Sequence, residues 1–288
     1  MIYWSRGVFH MLLAVFFFSV MNVFVKLLPH IPAVEIVFFR SVVSLIISIS
    51  FLKMYKINIW GKNHRYLILR GASGMIALVL YFKLMQSIPL ASAVTILFLS
   101  PIFTNILGTF IVRERVFPMQ WAFYLLSFIG ILLIKGFDQR IEPVHLAIGI
   151  GASIFSGLAY NFIRKIKTAE HPLVIIFYFP LVTMPFTGIA SSLNWVAPSG
   201  WDWAILLGVG ILTQVAQYFM TRSYQSEELS KVANLRYISI VFAWSFGFFI
   251  FNETYTVYAY LGMFLAVFGV MLNLWYRKKL IVKESLSN

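Results

Sequence analysis

Ten apolar stretches, each about as long as a bilayer is thick, divide the chain and leave little between them. They run near 7–28, 32–52, 66–87, 90–112, 118–135, 143–164, 172–193, 201–222, 229–251 and 255–276. A helix needs about 20 apolar residues to cross the hydrocarbon layer. Inside that layer every backbone N–H and C=O must be satisfied within the protein. The stretches are too long and too uniformly apolar for strands, and they lack the alternation of a membrane barrel. The expected fold is an all-α polytopic membrane protein with ten transmembrane helices. Only 11% of the 288 residues are charged, against roughly 25% in a soluble domain, so no extramembrane domain is expected. Pro32, Pro89, Pro118, Pro143 and Pro172 stand at or near span starts, where the missing N–H costs nothing. Seven tryptophans (Trp4, Trp60, Trp121, Trp195, Trp201, Trp203 and Trp275) lie near span ends, as in an interfacial belt. Trp244 falls mid-span.

The 23 Lys+Arg exceed the 10 Asp+Glu, for a formal charge of +13. On a soluble protein that excess would point to nucleic acid; here it reads as topology, and no nucleic-acid partner is expected. With the N-terminus placed in the cytoplasm, 17 basic residues fall on the cytoplasmic side and 4 (Lys26, Lys83, Lys135, Arg140) on the outer side. Arg40 and Arg236 are left inside the bilayer. This bias predicts cytoplasmic N- and C-termini, in a multi-pass protein of a bacterial inner membrane. Arg6 precedes an apolar run to Lys26 without a small-residue cleavage site, which reads as a first span and not as a signal peptide.

Chemistry-bearing patterns are sparse. There is no Cys, the five histidines are scattered, and Asp138 and Asp202 fall in expected loops. No GxSxG, HExxH or P-loop pattern occurs. No catalytic group, metal site or cofactor is expected.

The two halves match at an offset near 139: Ser100 with Ser239, Phe103 with Phe242, Glu114 with Glu253, and Gly130 with Gly269. Pro32 matches Pro172 one residue further out. Five spans per half is an odd number, so the second half crosses in the opposite sense. Residues 1–140 and 141–288 are expected to form a 5+5 inverted-topology repeat, an organisation of secondary transporters.

The run Leu99-Ser100-Pro101-Ile102-Phe103, then Arg113-Glu114, then Trp121 and Gly130-Ile131-Leu132-Leu133, resembles the EamA-type signature of the drug/metabolite transporter superfamily. Phe39-Arg40 and Pro89-Leu90-Ala91-Ser92-Ala93 fit the same pattern. The resemblance covers essentially the whole chain and is looser in the second half, where Ile240 replaces the proline and Asn252 precedes Glu253 in place of the frequent glycine. It implies a ten-helix carrier with spans 1–4 and 6–9 around a central cavity and spans 5 and 10 at the periphery. Its partners would be a small-molecule substrate and the lipid bilayer; a homodimer stays open.

Polar groups at membrane depth mark the candidate pathway. Arg40 lies about 12 Å into the second span at 1.5 Å per residue. It needs a counter-charge, a polar cavity or an anionic ligand, and its planar fork suits a carboxylate or phosphate. Glu35, five residues away, is off the favoured helical face, yet a structural pair with it remains open. Glu35 is also the proton-coupling candidate. Arg236 enters the ninth span behind Glu227 and Glu228 and reads as a gate salt bridge or a substrate contact. Tyr237 and Trp244, seven apart, share one helical face and would stack on a planar substrate or simply pack; Tyr81 and Tyr160 read alike. Gln214, Gln217 and Thr221, then Ser19, Asn22 and Lys26, then Ser100 and Thr104, form polar stripes that line a pore or glue helices together. Gly149, Ser153 and Gly157 form a small-residue ridge for close packing. Pro101, Pro180 and Pro185 predict kinks. Lys26, Lys83, Glu114 and Glu253 read as gate or structural groups.

The function expected is secondary-active or facilitative transport of a small organic metabolite, bearing a carboxylate or phosphate, by alternating access. The rivals are a transport-inactive sensor or assembly subunit of the same fold, and an intramembrane lipid-modifying enzyme.

Overall fold

The computed structural model describes residues 6–113, 116–166, 169–226 and 233–287. Among them the regular structure is helical: α1 Arg6–Lys26, α2 Ala33–Met54, α3 His64–Ser87, α4 Leu90–Leu97, α5 Ser100–Ile111, α6 Pro118–Phe137, α7 Pro143–Ile166, α8 Pro172–Ser192 and α9 Asp202–Ser226. A 3₁₀ segment, Ala233–Tyr237, then leads into α10 (Ile238–Phe251), and α11 (Val257–Ser287) closes the chain. Nine apolar stretches of the described residues are long enough to cross a membrane, α4 and α5 counting together as Leu90–Ile111. The shorter Leu235–Phe251 supplies the tenth crossing. The expected starts at Pro118, Pro143 and Pro172 coincide with helix starts.

The fourth and ninth spans are both broken, and at matching places. Proline cannot donate to the preceding turn, and Pro101 sits in the first turn of α5, just after α4 ends at Leu97. Phe98 and Tyr237 stand 139 residues apart. Each marks the junction within its span, and their rings touch at a centroid distance of 4.7 Å. The span ends match as well. Arg113 (φ 59°) and Asn252 (φ 52°), again 139 apart, are both left-handed. Asparagine tolerates that region better than most residues, which accounts for its place where the family pattern has glycine.

Helix packing follows the same exchange of halves. Spans one and eight (α1, α9) pack together, and so do their counterparts three and six (α3, α7). Spans two and seven (α2, α8), four and nine (α4, α10), and five and ten (α6, α11) each pack on their own repeat partner. An interior axis relates one half to the other, as the inverted repeat requires. In the peripheral pair, Ser127 Oγ donates to the Ala266 carbonyl at 3.1 Å. A Cβ on Gly130 would stand 2.5 Å from the Ala266 backbone nitrogen, and one on Gly269 2.4 Å from Ser127 Oγ. The repeated glycines therefore exist for backbone approach, a known use of small residues between membrane helices. The Gly149–Ser153–Gly157 ridge does the same for α7: Ser153 Oγ donates to the Ile96 carbonyl at 3.1 Å.

Candidate functional site

α2 and α3 run in opposite directions, and each carries an arginine inward. Arg40 is seven residues, about 10 Å, from the start of α2; Arg70 is six residues, about 9 Å, from the start of α3 at the other membrane face. Their heads meet in a small polar pocket, shared with Ser44, Phe179, Thr213, Gln214 and Gln217. Arg40 is 6% exposed. Its Nε donates to Thr213 Oγ1 at 3.0 Å, and that hydroxyl donates to the Val209 carbonyl at 2.7 Å. The guanidinium carbons of Arg40 and Arg70 lie 5.2 and 4.8 Å from the centre of the Phe179 ring. Gln214 Nε2 donates to the Ser44 carbonyl at 2.8 Å and to Ser48 Oγ at 3.2 Å, tying α9 to α2.

The polar balance of this cavity is incomplete. Arg40 Nη1, Arg70 Nε and Arg70 Nη1 are buried without a hydrogen-bond partner. Among the described residues neither arginine enters an ion pair; those present are Lys26–Glu253, His30–Asp202 and Arg140–Asp138. The pairing of Arg40 with Glu35 left open by the sequence is not formed. Glu35 is fully buried in the first turn of α2 and accepts from the Val196 backbone N–H at 3.1 Å.

A second polar group adjoins the first. Arg236 Nη2 donates to Tyr160 Oη at 3.3 Å. Tyr160 lies within electrostatic reach of Arg70, and Tyr81 and Tyr237 within that of Arg236. Asn22 Nδ2 donates to Tyr81 Oη at 3.2 Å. The structure thus brings Arg40, Gln214 and Gln217 to one cavity and links Asn22, Tyr81, Tyr160, Arg236 and Tyr237 in a second polar group. Arg70 joins the two.

Other sequence candidates lie elsewhere. Thr104 Oγ1 donates to the Ser100 carbonyl at 2.7 Å, and Asn161 Nδ2 donates to the Thr104 carbonyl at 2.8 Å, so this stripe ties α5 to α7. Trp244, seven residues after Tyr237, meets different neighbours. Its Nε1 donates to Tyr260 Oη on α11 at 2.8 Å. Lys83 is exposed near the end of α3. Glu114, Glu227 and Glu228 lie outside the described residues. Several cavity residues, among them Ser44, Arg70, Phe179 and Thr213, had no place among the sequence candidates. Arg70 was counted with the cytoplasmic loop although its helix begins at His64. Phe179 and Thr213 carry no signal in isolation; only the Pro180 kink beside the ring marked that neighbourhood.

At the end opposite the termini the charges are matched. Lys26 Nζ meets Glu253 Oε1 at 2.5 Å and donates to the Ile88 carbonyl at 2.6 Å. Glu253 Oε2 accepts from the Leu90 N–H at 2.9 Å and from Tyr255 Oη at 2.7 Å. Burial, with the Glu253 carboxylate beside it, pushes the Tyr255 hydroxyl above its ordinary range, so it stays a donor. Arg140 Nη2 donates to the Thr254 carbonyl at 2.6 Å while its Nε pairs with Asp138 at 2.8 Å. Four segments converge here: the end of α1, the start of α4, the turn after α10 and the loop before α7.

A paired-half architecture, broken helices on the axis and a polar interior fit a carrier. The EamA-like transporter family profile matches twice, at residues 5–136 and 144–275. The chain belongs to the EamA-like transporter family. Among relatives, the Pseudopaline exporter CntI of Pseudomonas aeruginosa is 31% identical over 255 residues, covering 86% of this chain and 89% of its own. Solute carrier family 35 member G1 of Homo sapiens is 31% identical over 293 residues, covering 94% and 80%. The S-adenosylmethionine uptake transporter of Rickettsia prowazekii is 25% identical over 252 residues, covering 86% and 85%. A crystal structure of a protein superposes with a TM-score of 0.66 over 96% of this chain and 99% of its own at 15% identity, a likeness of fold alone. As an EamA-like protein the chain is a multi-pass membrane protein whose relatives are named as transporters.

Proposed function

We propose that this EamA-like protein carries a small organic anion, bearing a carboxylate or phosphate, across the membrane by alternating access, with Arg40 as the anchoring cation. The observation that carries this reading is a buried guanidinium with an unsatisfied Nη1 in a polar cavity between the halves. A buried charge without a partner is costly, and an anion entering the cavity supplies that partner. Arg236 and Tyr160 extend the polar surface toward the face that bears the termini. Lys26 and Glu253 form the gate at the opposite, outer face and must separate when the carrier opens there. Both termini lie in the cytoplasm of a bacterial inner membrane, with residues 1–140 and 141–288 as the two moving repeats. Glu35, buried with Oε1 unpartnered, is the coupling candidate.

The test is counterflow in proteoliposomes against a panel of carboxylates, organic phosphates, neutral metabolites and cations. Wild-type protein is expected to exchange at least one anion class, and Arg40→Gln to lose that exchange. Equal counterflow by the variant sinks the role of Arg40, and selective exchange of neutral or cationic substrates sinks the anion reading.

A further inference from the structure

Resting on the anion reading, we propose that the cavity between α2, α3, α8 and α9 is a two-cation site whose ligand is an organic dicarboxylate. One carboxylate is held by Arg40 and the other by Arg70.

Both guanidinium groups approach the same Phe179 ring, at 5.2 and 4.8 Å from its centre. Their carbons are therefore no more than 10.0 Å apart, the total of those two distances. Each brings N–H groups that meet no acceptor: Nη1 of Arg40, and Nε and Nη1 of Arg70. A guanidinium has five donors in a fixed fork, which matches the two oxygens of a carboxylate. The rest of the polar lining is neutral, consisting of Ser44, Thr213, Gln214 and Gln217.

Two like charges at this separation in a poorly screened interior repel one another. The attraction of each cation for the Phe179 ring face offsets part of that cost and leaves their hydrogen bonds unmade. A monoanion cancels one charge and leaves the other buried and unpaired. A dianion cancels both and satisfies both forks. The site therefore selects on the number of negative charges. Arg40 also has Thr213 to orient it at 3.0 Å. Arg70 has no such bond from Nε or Nη1, so its fork is the part of the site that the ligand orders.

The experiment uses purified full-length protein and measures affinity by calorimetry and thermal shift. The probes are succinate, glutarate and adipate, monocarboxylates of equal chain length, and inorganic phosphate. Wild type is expected to bind at least one dicarboxylate on the order of tenfold or more tighter than its monocarboxylate. Arg70→Gln is expected to abolish that preference, so that mono- and dicarboxylate affinities fall within about twofold of each other. Arg70→Lys keeps the charge, is expected to keep part of the preference, and serves where the Gln variant does not fold. Equal binding of mono- and dicarboxylates by wild type, tighter binding of phosphate than of every dicarboxylate, or an unchanged preference in Arg70→Gln overturns the two-cation site. If mono- and dicarboxylates bind equally and only Arg40→Gln removes them, the anion reading stands and the two-cation site falls. If no anion binds the folded wild type, both fall.

Discussion

The cluster around Glu253 and the cavity around Arg40 are both buried and charged, yet they treat charge in opposite ways. At Glu253 each carboxylate oxygen has a named donor, from Lys26 on one side and from the Leu90 N–H and Tyr255 on the other. At Arg40 and Arg70 three N–H-bearing nitrogens have none. A buried ion pair with its hydrogen bonds complete holds elements together, and removing one partner strands the other. A buried cation without a partner opposes folding and is retained for what it binds. The difference separates a latch from a site, and it does so without reference to sequence similarity.

The largest effect is expected at the latch. Glu253→Gln leaves Lys26, 13% exposed, without its counter-charge and should cost about 3–5 kcal/mol of stability. The double variant Lys26→Met with Glu253→Gln should recover much of that loss. Denaturant unfolding in detergent checks it. Single and double variants that all lie within about 1 kcal/mol of wild type would show that this end is held by something else. Arg40→Gln should behave in the reverse manner, with unchanged or raised stability because an uncompensated charge is removed. A loss above about 2 kcal/mol would mean that Arg40 has a structural partner, and the contrast between the two regions would collapse.

A smaller effect should follow at Thr213. Its hydroxyl accepts from Arg40 Nε at 3.0 Å, and a hydrogen bond to a charged group contributes about 1.5–3 kcal/mol. Thr213→Val keeps the shape and removes the acceptor. Anion affinity should fall on the order of tenfold, with 1.4 kcal/mol per decade, and Thr213→Ser should restore it. If Val and Ser variants bind alike, the bond does not orient the guanidinium.

Much of the fold was legible because the bilayer leaves few solutions. Apolar length located the crossings, and Gly130 with Gly269 marked the register of 139 between the halves. Applied to Phe98 and Arg113, it identifies Tyr237 and Asn252 as their structural equivalents, two pairs that the composition of single spans does not reveal. The site was legible only in part. Arg40 announces itself by depth alone. Arg70 does not, because a basic residue four positions into the expected span 66–87 reads as a cytoplasmic flank until its burial is known. Its partner ring, Phe179, is one of 29 phenylalanines, and nothing local sets it apart from those that pack. Trp244 shares a helical phase with Tyr237, yet phase alone names no neighbour: its ring meets Phe248 and Tyr260.

That last residue gives the smallest and most discriminating expectation. Trp244 donates from Nε1 to Tyr260 at 2.8 Å, a neutral bond with a net contribution of about 0.5–1.5 kcal/mol. It lies against Phe248 and Tyr260, with ring centroids 6.3 Å away in each case, and it does not line the cavity. Trp244→Phe keeps an aromatic ring and deletes the donor. Stability should drop by no more than that bond, while anion counterflow stays at the wild-type rate. A transport defect without a stability defect would place the indole on the substrate path. Charge matching would then be too narrow a criterion for the site, and an aromatic contact outside the Arg40–Arg70 cavity would have to be added to it.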